Sequence, residues 1–198
     1  MNKRHLVIVI PGLGDETRIL QLAVNHWKKN SLDPVVYSIG WSSGIAFQPK
    51  LQKLVTMIDG FIDKGARVSL VGTSAGGSAA LNAFIKRKET IHRVINICGR
   101  LRTGPLTGFR SFKSKTASSP AFADSIKLCE REECKLTILD RQKIMTVSAL
   151  FGDELVPGET TIIKGALNTK IPTAEHIVSI GMALTLFSRP LISFLKQK

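Results

Sequence analysis

Short apolar segments recur along this chain and alternate with longer segments of helical periodicity. The apolar segments are rich in Val and Ile at successive positions, which is typical of strands covered on both faces of a parallel sheet. They lie at 6–10, 35–39, 68–72, 94–98, 144–150 and 160–164, and the helical patterns lie near 16–29, 49–64, 75–88, 120–133 and 190–197. This alternation predicts an α/β fold with about six mostly parallel strands and helices on both faces.

Composition places the chain among ordinary globular proteins. Its 198 residues are 43% apolar and 22% charged, which predicts a single folded domain over residues 1–198 rather than a disordered chain. The formal net charge of +13 favours either a solvated basic surface or an anionic partner. Because the basic residues are spread along the chain without a nucleic-acid motif, we expect no specific nucleic-acid partner.

The positions of the cysteines argue against several kinds of site, and the lengths of the apolar runs bear on where the protein is located. Cys98 falls in an apolar strand, and Cys129 and Cys134 flank an acidic stretch without histidine, so we predict no disulfide framework, no metal site and no cofactor. The N-terminal run at 6–10 is too short for a signal peptide, and the run at 177–187 is too short to span a bilayer. The sequence therefore predicts a soluble cytoplasmic protein without a transmembrane segment, and it leaves the oligomeric state open.

The stretch VSLVGTSAGG at 68–77 sets Ser74 between Gly72 and Gly76, directly after a buried strand. A G-x-S-x-G pattern alone is weak, because it occurs by chance and glycines also make turns needed only for packing. Here the strand, the turn and a helix follow in the order that a nucleophile elbow requires. We therefore predict that Ser74 is a nucleophile.

A serine nucleophile needs a base and an acid that orients the base. Among the four histidines, only His176 follows the last strand, at the edge of the sheet where Ser74 is expected. Asp153 follows the strand at 144–150 and is the expected acid, although a Gly-Asp turn and an ordinary loop histidine are the plainer readings. The other histidines begin strands or lie in a helix: His5, His92 and His26.

Backbone donors for an oxyanion are expected at two turns. The first strand ends in Pro-Gly-Leu-Gly, where the N–H of Leu13 is the first candidate and that of Gly14 the reserve, with Gly12 beside the substrate. The second donor is the N–H of Ala75 at a helix N-terminus. The turn fits neither G-x-G-x-x-G nor a P-loop, but a plain loop or a phosphate cradle stays open as an alternative.

These motifs resemble those of a small α/β-hydrolase, similar to compact bacterial lipases and esterases. The matching segments are 8–15, 68–77, 149–157 and 175–180, in family order and spread over nearly the whole chain. The resemblance implies a Ser-His-Asp hydrolase with Ser74, His176 and Asp153 in those roles, and a six-stranded core that lacks the usual first two strands. Many members have His-Gly where this chain has Pro11-Gly12, so the sequence of that loop departs from the family pattern, although a backbone donor does not require the histidine.

Residues 99–125 occupy the position where such hydrolases often carry a cap. The part at 99–119 has no clear period and contains five basic residues and no acid. Phe109 and Phe112, with Phe122, could face an acyl group, although a solvated loop is the alternative. A short cap implies an accessible site for small to medium acyl groups.

Together these features predict hydrolysis of a small-molecule carboxylic ester through an acyl-enzyme. The alternatives are a thioesterase, lactonase or amidase with the same triad, or a non-catalytic protein of this fold that binds an anionic partner.

Overall fold

The computed structural model describes residues 3–104 and 107–197. Its centre is one six-stranded sheet in the order β2-β1-β3-β4-β5-β6, and every neighbouring pair of strands is parallel. The strands are β1 His5–Ile10, β2 Asp33–Val36, β3 Arg67–Thr73, β4 Val94–Ile97, β5 Ile144–Ala149 and β6 Leu167–Ile171. The predicted α/β fold with about six parallel strands is confirmed.

Helices cover both faces of this sheet. They are α1 Thr17–Val24, α2 Phe47–Asp63, α3 Ala75–Lys86, α4 Phe112–Thr116, α5 Pro120–Glu132, α6 Ile138–Gln142, α7 His176–Leu184 and α8 Ser188–Lys196. Short 3-10 turns lie at Asn25–Asn30, Gly108–Arg110, Glu133–Lys135 and Gly158–Thr160.

The sheet separates two hydrophobic clusters, and the strand β1 contributes side chains to both. Leu6, Ile8 and Ile10 join the cluster that contains the buried side chains of α2, α3 and α5. Val7 and Val9 face the opposite way and join the cluster formed with α1, α7 and α8. This alternation follows from the two-residue period of a strand, and it explains why the central strands are apolar at every position.

The predicted sixth strand at 160–164 is wrong, because the strand lies later, at Leu167–Ile171. Ile163 is fully buried in the first cluster, but its segment is held as a loop by the side chain of Asn168. That amide accepts from the N–H of Ile163 at 3.2 Å and donates to its carbonyl at 2.9 Å. The true β6 is an edge strand and mostly exposed, so its polar residues did not match the pattern of a buried strand.

Three of the other predicted strands are shorter in the structure than the sequence suggested. The second strand runs over Asp33–Val36 instead of 35–39, because the backbone at Ile39 hydrogen-bonds to the Asp15 carboxylate. The fourth strand ends one residue early, since Cys98 has a left-handed φ of 52°. The strand β5 ends at Ala149 rather than at 150.

No helix in residues 3–104 and 107–197 is by itself both long and apolar enough to cross a membrane. The pair α7 and α8, bent by 55° at the break between them, meets those criteria of length and composition only when taken together.

Candidate active site

Ser74 is the single residue between the end of β3 and the start of α3. Its φ of 51° and ψ of −123° are unusual for a residue with a side chain, and such a backbone persists only where the surroundings hold it. Its N–H donates to the carbonyl of Ile97 at 2.9 Å, and its own carbonyl accepts from the N–H of Gly77 at 3.0 Å. The sharp turn therefore presents the hydroxyl at the carboxyl edge of the sheet.

Two glycines make this turn possible. A Cβ at Gly72 would overlap the backbone of Gly76, and a Cβ at Gly76 would overlap the carbonyl of Ile10. The missing side chains thus allow α3 to start directly against the ends of β3 and β1.

His176 connects the other two predicted residues. Its Nε2 lies 2.9 Å from Ser74 Oγ, and its Nδ1 lies 2.7 Å from Asp153 Oδ2. The imidazole is almost completely buried at the first position of α7. The structure therefore brings together three side chains that are far apart in sequence, in the order serine, imidazole, carboxylate.

The carboxylate determines which imidazole nitrogen carries the proton. Burial disfavours ionisation of Asp153, but the hydrogen bond and charge of His176 and the N–H groups of Val156 and Leu155 hold its pKa below the ordinary value. An ionised carboxylate can only accept, so the His176 Nδ1–H donates to it. His176 Nε2 is then free to accept the Ser74 hydroxyl proton.

Glu154 lies beside this arrangement without entering it. Its Oε2 accepts from the backbone N–H of His176 at 3.0 Å, and the side chain is exposed. Glu175 caps α7 by accepting from the N–H of Val178. These carboxylates fix the first turn of α7 and thereby the position of the imidazole.

The turn after β1 lies against Ser74. A Cβ at Gly12 would come within 2.9 Å of the Ser74 Cβ, and the Leu13 side chain packs against the first core cluster. Gly14 is exposed, with open space where a side chain would be. Ala75 begins the twelve-residue α3, so its backbone N–H lies at a helix N-terminus next to Ser74. The roles of Leu13, Gly14 and Ala75 as donors stay predictions.

Asp15 is a structural residue that sequence reasoning missed. Its Oδ1 accepts from the Ser38 hydroxyl and from the N–H groups of Ile39 and Gly40, and its Oδ2 accepts from the N–H of Trp41 at 2.7 Å. Trp41 Nε1 in turn donates to the carbonyl of Pro11. Asp15 thus ties the turn beside Ser74 to a loop more than twenty residues away. Its place after Pro-Gly-Leu-Gly is the one sequence feature that hints at a turn-fixing acid.

In the region where a cap or a solvated loop was predicted, side-chain hydrogen bonds hold several backbone groups. Arg100 is 1% exposed and donates to the carbonyls of Arg102, Thr103 and Arg110. Thr103 also binds Glu130 on α5 through its N–H and hydroxyl. The guanidinium and α5 therefore hold the backbone at Arg102, Thr103 and Arg110 in place.

The aromatic residues of the cap have different environments. Phe109 is 69% exposed, with Lys115 Nζ 3.2 Å from its ring centroid. Phe112 is partly buried against the first core cluster, and Phe122 is buried with its ring edge-to-face on Trp41. Contact of Phe109 or Phe112 with an acyl group stays a prediction.

The remaining histidines lie away from Ser74. His5 begins β1 and His92 precedes β4, at the opposite edge of the sheet, and their rings are 5.4 Å apart. His26 binds the carbonyl of Ala23 and the hydroxyl of Ser188. Within the described residues, no group of three or more His, Cys, Asp or Glu side chains could hold a metal ion.

No protein-family model matches the chain, and no curated protein matches it significantly. Several solved structures do match the chain. One, from work on the metagenome-derived lipolytic enzymes LipS and LipT, aligns over 100% of this chain and 96% of its own, with a TM-score of 0.66 and 14% identity. Est1E from Butyrivibrio proteoclasticus aligns over 98% of this chain and 90% of its own, with a TM-score of 0.65 and 16% identity. An enol-lactonase from Burkholderia xenovorans LB400 aligns over 99% of this chain and 93% of its own, with a TM-score of 0.65 and 13% identity. The chain therefore has the α/β-hydrolase fold.

Proposed function

We propose that this protein is a serine hydrolase that cleaves carboxylic esters of small to medium acyl groups through an acyl-enzyme. The observation that carries the proposal is the chain of hydrogen bonds from Ser74 Oγ through His176 to Asp153, with distances of 2.9 and 2.7 Å. A binding module has no need for a buried imidazole poised between a serine in an unusual backbone conformation and a carboxylate.

The reaction follows from the protonation states. His176 Nε2 takes the Ser74 proton as Ser74 Oγ attacks the ester carbonyl, and Asp153 stabilises the imidazolium. The N–H groups of Leu13 and Ala75 hold the oxyanion of the tetrahedral intermediate. As the intermediate collapses, the imidazolium gives its proton to the departing alcohol. Water then attacks the acyl-enzyme, with His176 again the base, and releases the acid and the free serine.

Two features support the assignment of the oxyanion donors. Ala75 lies at the N-terminus of α3, where an unpaired N–H and the helix dipole favour negative charge. The turn that contains Leu13 approaches Ser74 closely at Gly12, and the hydrogen bonds of Trp41 with Asp15 and Pro11 hold the turn in place. Such a turn is preorganised, as electrostatic stabilisation of a transition state requires.

The reacting bond is proposed from the fold and the site together. The names of the similar structures include lipolytic enzymes and an enol-lactonase, and both describe hydrolysis of an acyl–oxygen bond. The same machinery would accept a thioester or an amide. Rates on an ester, a thioester and an amide with the same acyl group would rank these bonds directly, and we expect the ester to react fastest.

The proposal is tested by a fluorophosphonate probe and intact mass. We expect one adduct on the wild-type protein and none on Ser74→Ala, because only an activated serine reacts. Ser118→Ala, which removes an exposed serine of the cap region, should label like the wild type. If the wild type stays unlabelled, the site is not an activated serine, and the non-catalytic reading in which the basic surface binds an anionic partner takes its place.

A further inference from the structure

An open pocket of about 640 Å³ lies between the 3-10 turn Asn25–Asn30 and the helix α8. The turn comes shortly before the start of β2, so it lies at the amino edge of the parallel sheet. Ser74 follows the end of β3 and lies at the carboxyl edge. The pocket is therefore separate from the candidate active site.

Hydrogen bonds join the two walls of this pocket. His26 Nδ1 lies 2.9 Å from the carbonyl of Ala23, and His26 Nε2 lies 3.1 Å from Ser188 Oγ. A carbonyl can only accept, so in the neutral imidazole Nδ1 carries the proton and the Ser188 hydroxyl donates to Nε2. Trp27 Nε1 also donates to the carbonyl of Leu184 at 3.1 Å, just before α8. The pocket is thus formed by segments that are tied together, as is usual for small-molecule sites.

The wall on α8 is one face of that helix. Arg189, Ile192, Ser193 and Lys196 all line the pocket and lie at positions i, i+3, i+4 and i+7, which places them on the same side of an α-helix. The backbones of Arg189 and Lys196 are about 10 Å apart along the axis. Both side chains are long and exposed, so both can reach a group held between them, beside the buried Ile192.

Several lining side chains carry hydrogen-bond donors that the protein itself does not use. In residues 3–104 and 107–197, no hydrogen bond or ion pair engages the side chains of Asn30, Arg189, Ser193, Lys196 or Gln197. Among the described residues that line the pocket there is also no Asp or Glu. The pocket therefore offers two cations and three neutral donors to a ligand that brings its own acceptors.

The surroundings of the pocket add positive charge. Lys28 and Lys29 are exposed in the last turn of the 3-10 helix. The segments 17–32 and 176–197, which form both walls, contain no Asp or Glu. The next acid along the chain, Asp33, is already in an ion pair. The electrostatic potential at the pocket is therefore positive and attracts anions.

We propose that this pocket binds a phosphate group, as free phosphate or as part of a phosphorylated small molecule. A phosphate presents several acceptor oxygens, which suit the fork of Arg189, the ammonium group of Lys196 and the neutral donors together. A carboxylate has only two oxygens and would leave more of these donors unpaired. The proposal does not rest on the proposed hydrolase function.

The size and lining of the pocket favour a small molecule over a nucleic acid. Its volume equals that of about twenty water molecules in the liquid, which leaves room for an organic group beside the phosphate and against Ile192. Single-stranded nucleic acids are held largely by stacking of bases on aromatic side chains. No Phe, Trp or Tyr is among the described residues that line this pocket.

Binding is tested by titrating the ¹⁵N-labelled protein in phosphate-free buffer with adenosine monophosphate, adenosine or inorganic phosphate. We expect adenosine monophosphate to shift the side-chain NH₂ signals of Asn30 and Gln197 and the Nε–H signal of Arg189, and adenosine to leave them in place. A lower dissociation constant for adenosine monophosphate than for inorganic phosphate would identify an organic phosphate as the ligand. Equal constants would identify free phosphate. Either result supports recognition of the phosphate group.

Two variants separate charge from shape. Arg189→Gln combined with Lys196→Gln should raise the dissociation constant for adenosine monophosphate about tenfold or more, because two charge-assisted hydrogen bonds are lost. Ser193→Trp should weaken binding at least as much without a change in charge, because the indole would occupy the pocket.

The matched control is Lys53→Gln combined with Lys64→Gln, which removes the same charge from exposed residues of α2 and its end. The helix α2 packs in the first core cluster and α8 in the second, on the other face of the sheet. The control should change the dissociation constant less than about twofold, since charges farther away than a Debye length are screened.

Three results would overturn the proposal. One is that adenosine shifts the same signals with the same dissociation constant as adenosine monophosphate. Another is an equal loss of affinity in the control variant, which would indicate diffuse attraction to a basic surface. The third is a single-stranded oligonucleotide that binds far more tightly than adenosine monophosphate and still binds Ser193→Trp, since a nucleic acid on the surface would then be the ligand. Fluorophosphonate labelling of Ser74 should be the same in all these variants, so this test and that of the proposed function are independent.

Discussion

At the scale of single residues, two adjacent carboxylates in the candidate site have different tasks. Asp153 is 9% exposed, with one oxygen on the His176 ring and the other on two backbone N–H groups. Glu154 is exposed and accepts from the His176 backbone. The two residues are adjacent in sequence, and the atoms that they contact show which task each of them has. The ring contact selects the tautomer, whereas the backbone contact only steadies the helix start.

Asp153→Asn should lower kcat for ester hydrolysis by about 10³–10⁴-fold, because the amide NH₂ would face His176 Nδ1 and favour the tautomer that cannot accept the serine proton. Glu154→Gln, the matched control, should lower it by less than about tenfold, since an amide oxygen still accepts from a backbone N–H. Initial rates on a p-nitrophenyl ester measure both. Equal losses in the two variants would assign no special role to Asp153.

At the scale of elements, the β3–α3 turn is the part of the fold with the tightest steric requirement. Ser74 keeps its positive φ because the strand before it and the helix after it leave no other path. Gly76 lies where α3 crosses the end of β1, and the helix has no room there for even one methyl group. Packing between elements, rather than helix propensity, therefore requires glycine at this position.

Gly76→Ala should destabilise the protein by about 3 kcal/mol or more, because the new Cβ would overlap the carbonyl of Ile10 in a closely packed region. Gly60→Ala is the matched control, since Gly60 lies within α2 with no atom within 4 Å of a built Cβ. It should stabilise the protein by about 0.5–1 kcal/mol through helix propensity. Urea denaturation measures both free energies of unfolding. A neutral Gly76→Ala would contradict the packing account.

At the scale of the whole molecule, buried histidines lie at the two opposite edges of the sheet, His176 at one and His5 at the other. At the carboxyl edge, His176 is paired with a carboxylate. At the amino edge, His5 is buried against the hydroxyl of Ser69 at 2.9 Å, with His92 and Arg67 as neighbours. Burial, aided by the charges of these two neighbours, lowers the pKa of His5 from 6.5 to about 4. This histidine is therefore neutral in the folded protein over most of the pH range.

Acid should destabilise the fold through His5. Well above pH 6.5 the residue is neutral in both states, and its contribution to stability is complete. As the pH falls from 6.5 to about 4, the unfolded chain binds a proton that the folded chain does not, which costs up to about 3 kcal/mol. His5→Gln, which does not titrate and can still reach Ser69, should flatten this part of the profile. Urea midpoints between pH 7.5 and 4 measure the effect, with His26→Gln as the control.

An unchanged acid slope in His5→Gln would mean that other groups cause the loss of stability. A variant that unfolds at pH 7.5 would be judged by Ser69→Ala instead. That change removes the hydroxyl partner and leaves the titrating imidazole, so the acid slope should persist.

Local patterns of residues were sufficient to predict most of the strands and the three residues of the candidate site. The Val- and Ile-rich runs located five of the six strands, because a strand buried on both faces must be apolar whatever surrounds it. They misplaced β6, because Ile163 is buried by contacts of a loop with the first core cluster while the true edge strand is polar. The G-x-S-x-G stretch and the chain order Ser74, Asp153, His176 were sufficient to select three side chains that the fold brings within hydrogen-bonding distance.

By itself, the sequence determined the layered α/β architecture and the residues of the hydrogen-bonded triad, since periodicity and turn chemistry act over neighbouring residues. Only the tertiary structure decided that Glu154 holds the backbone of His176 and that Asp15 ties two distant loops together. These features depend on contacts between segments far apart in the chain. Such contacts arise from the packing of whole elements, which no local pattern of residues records.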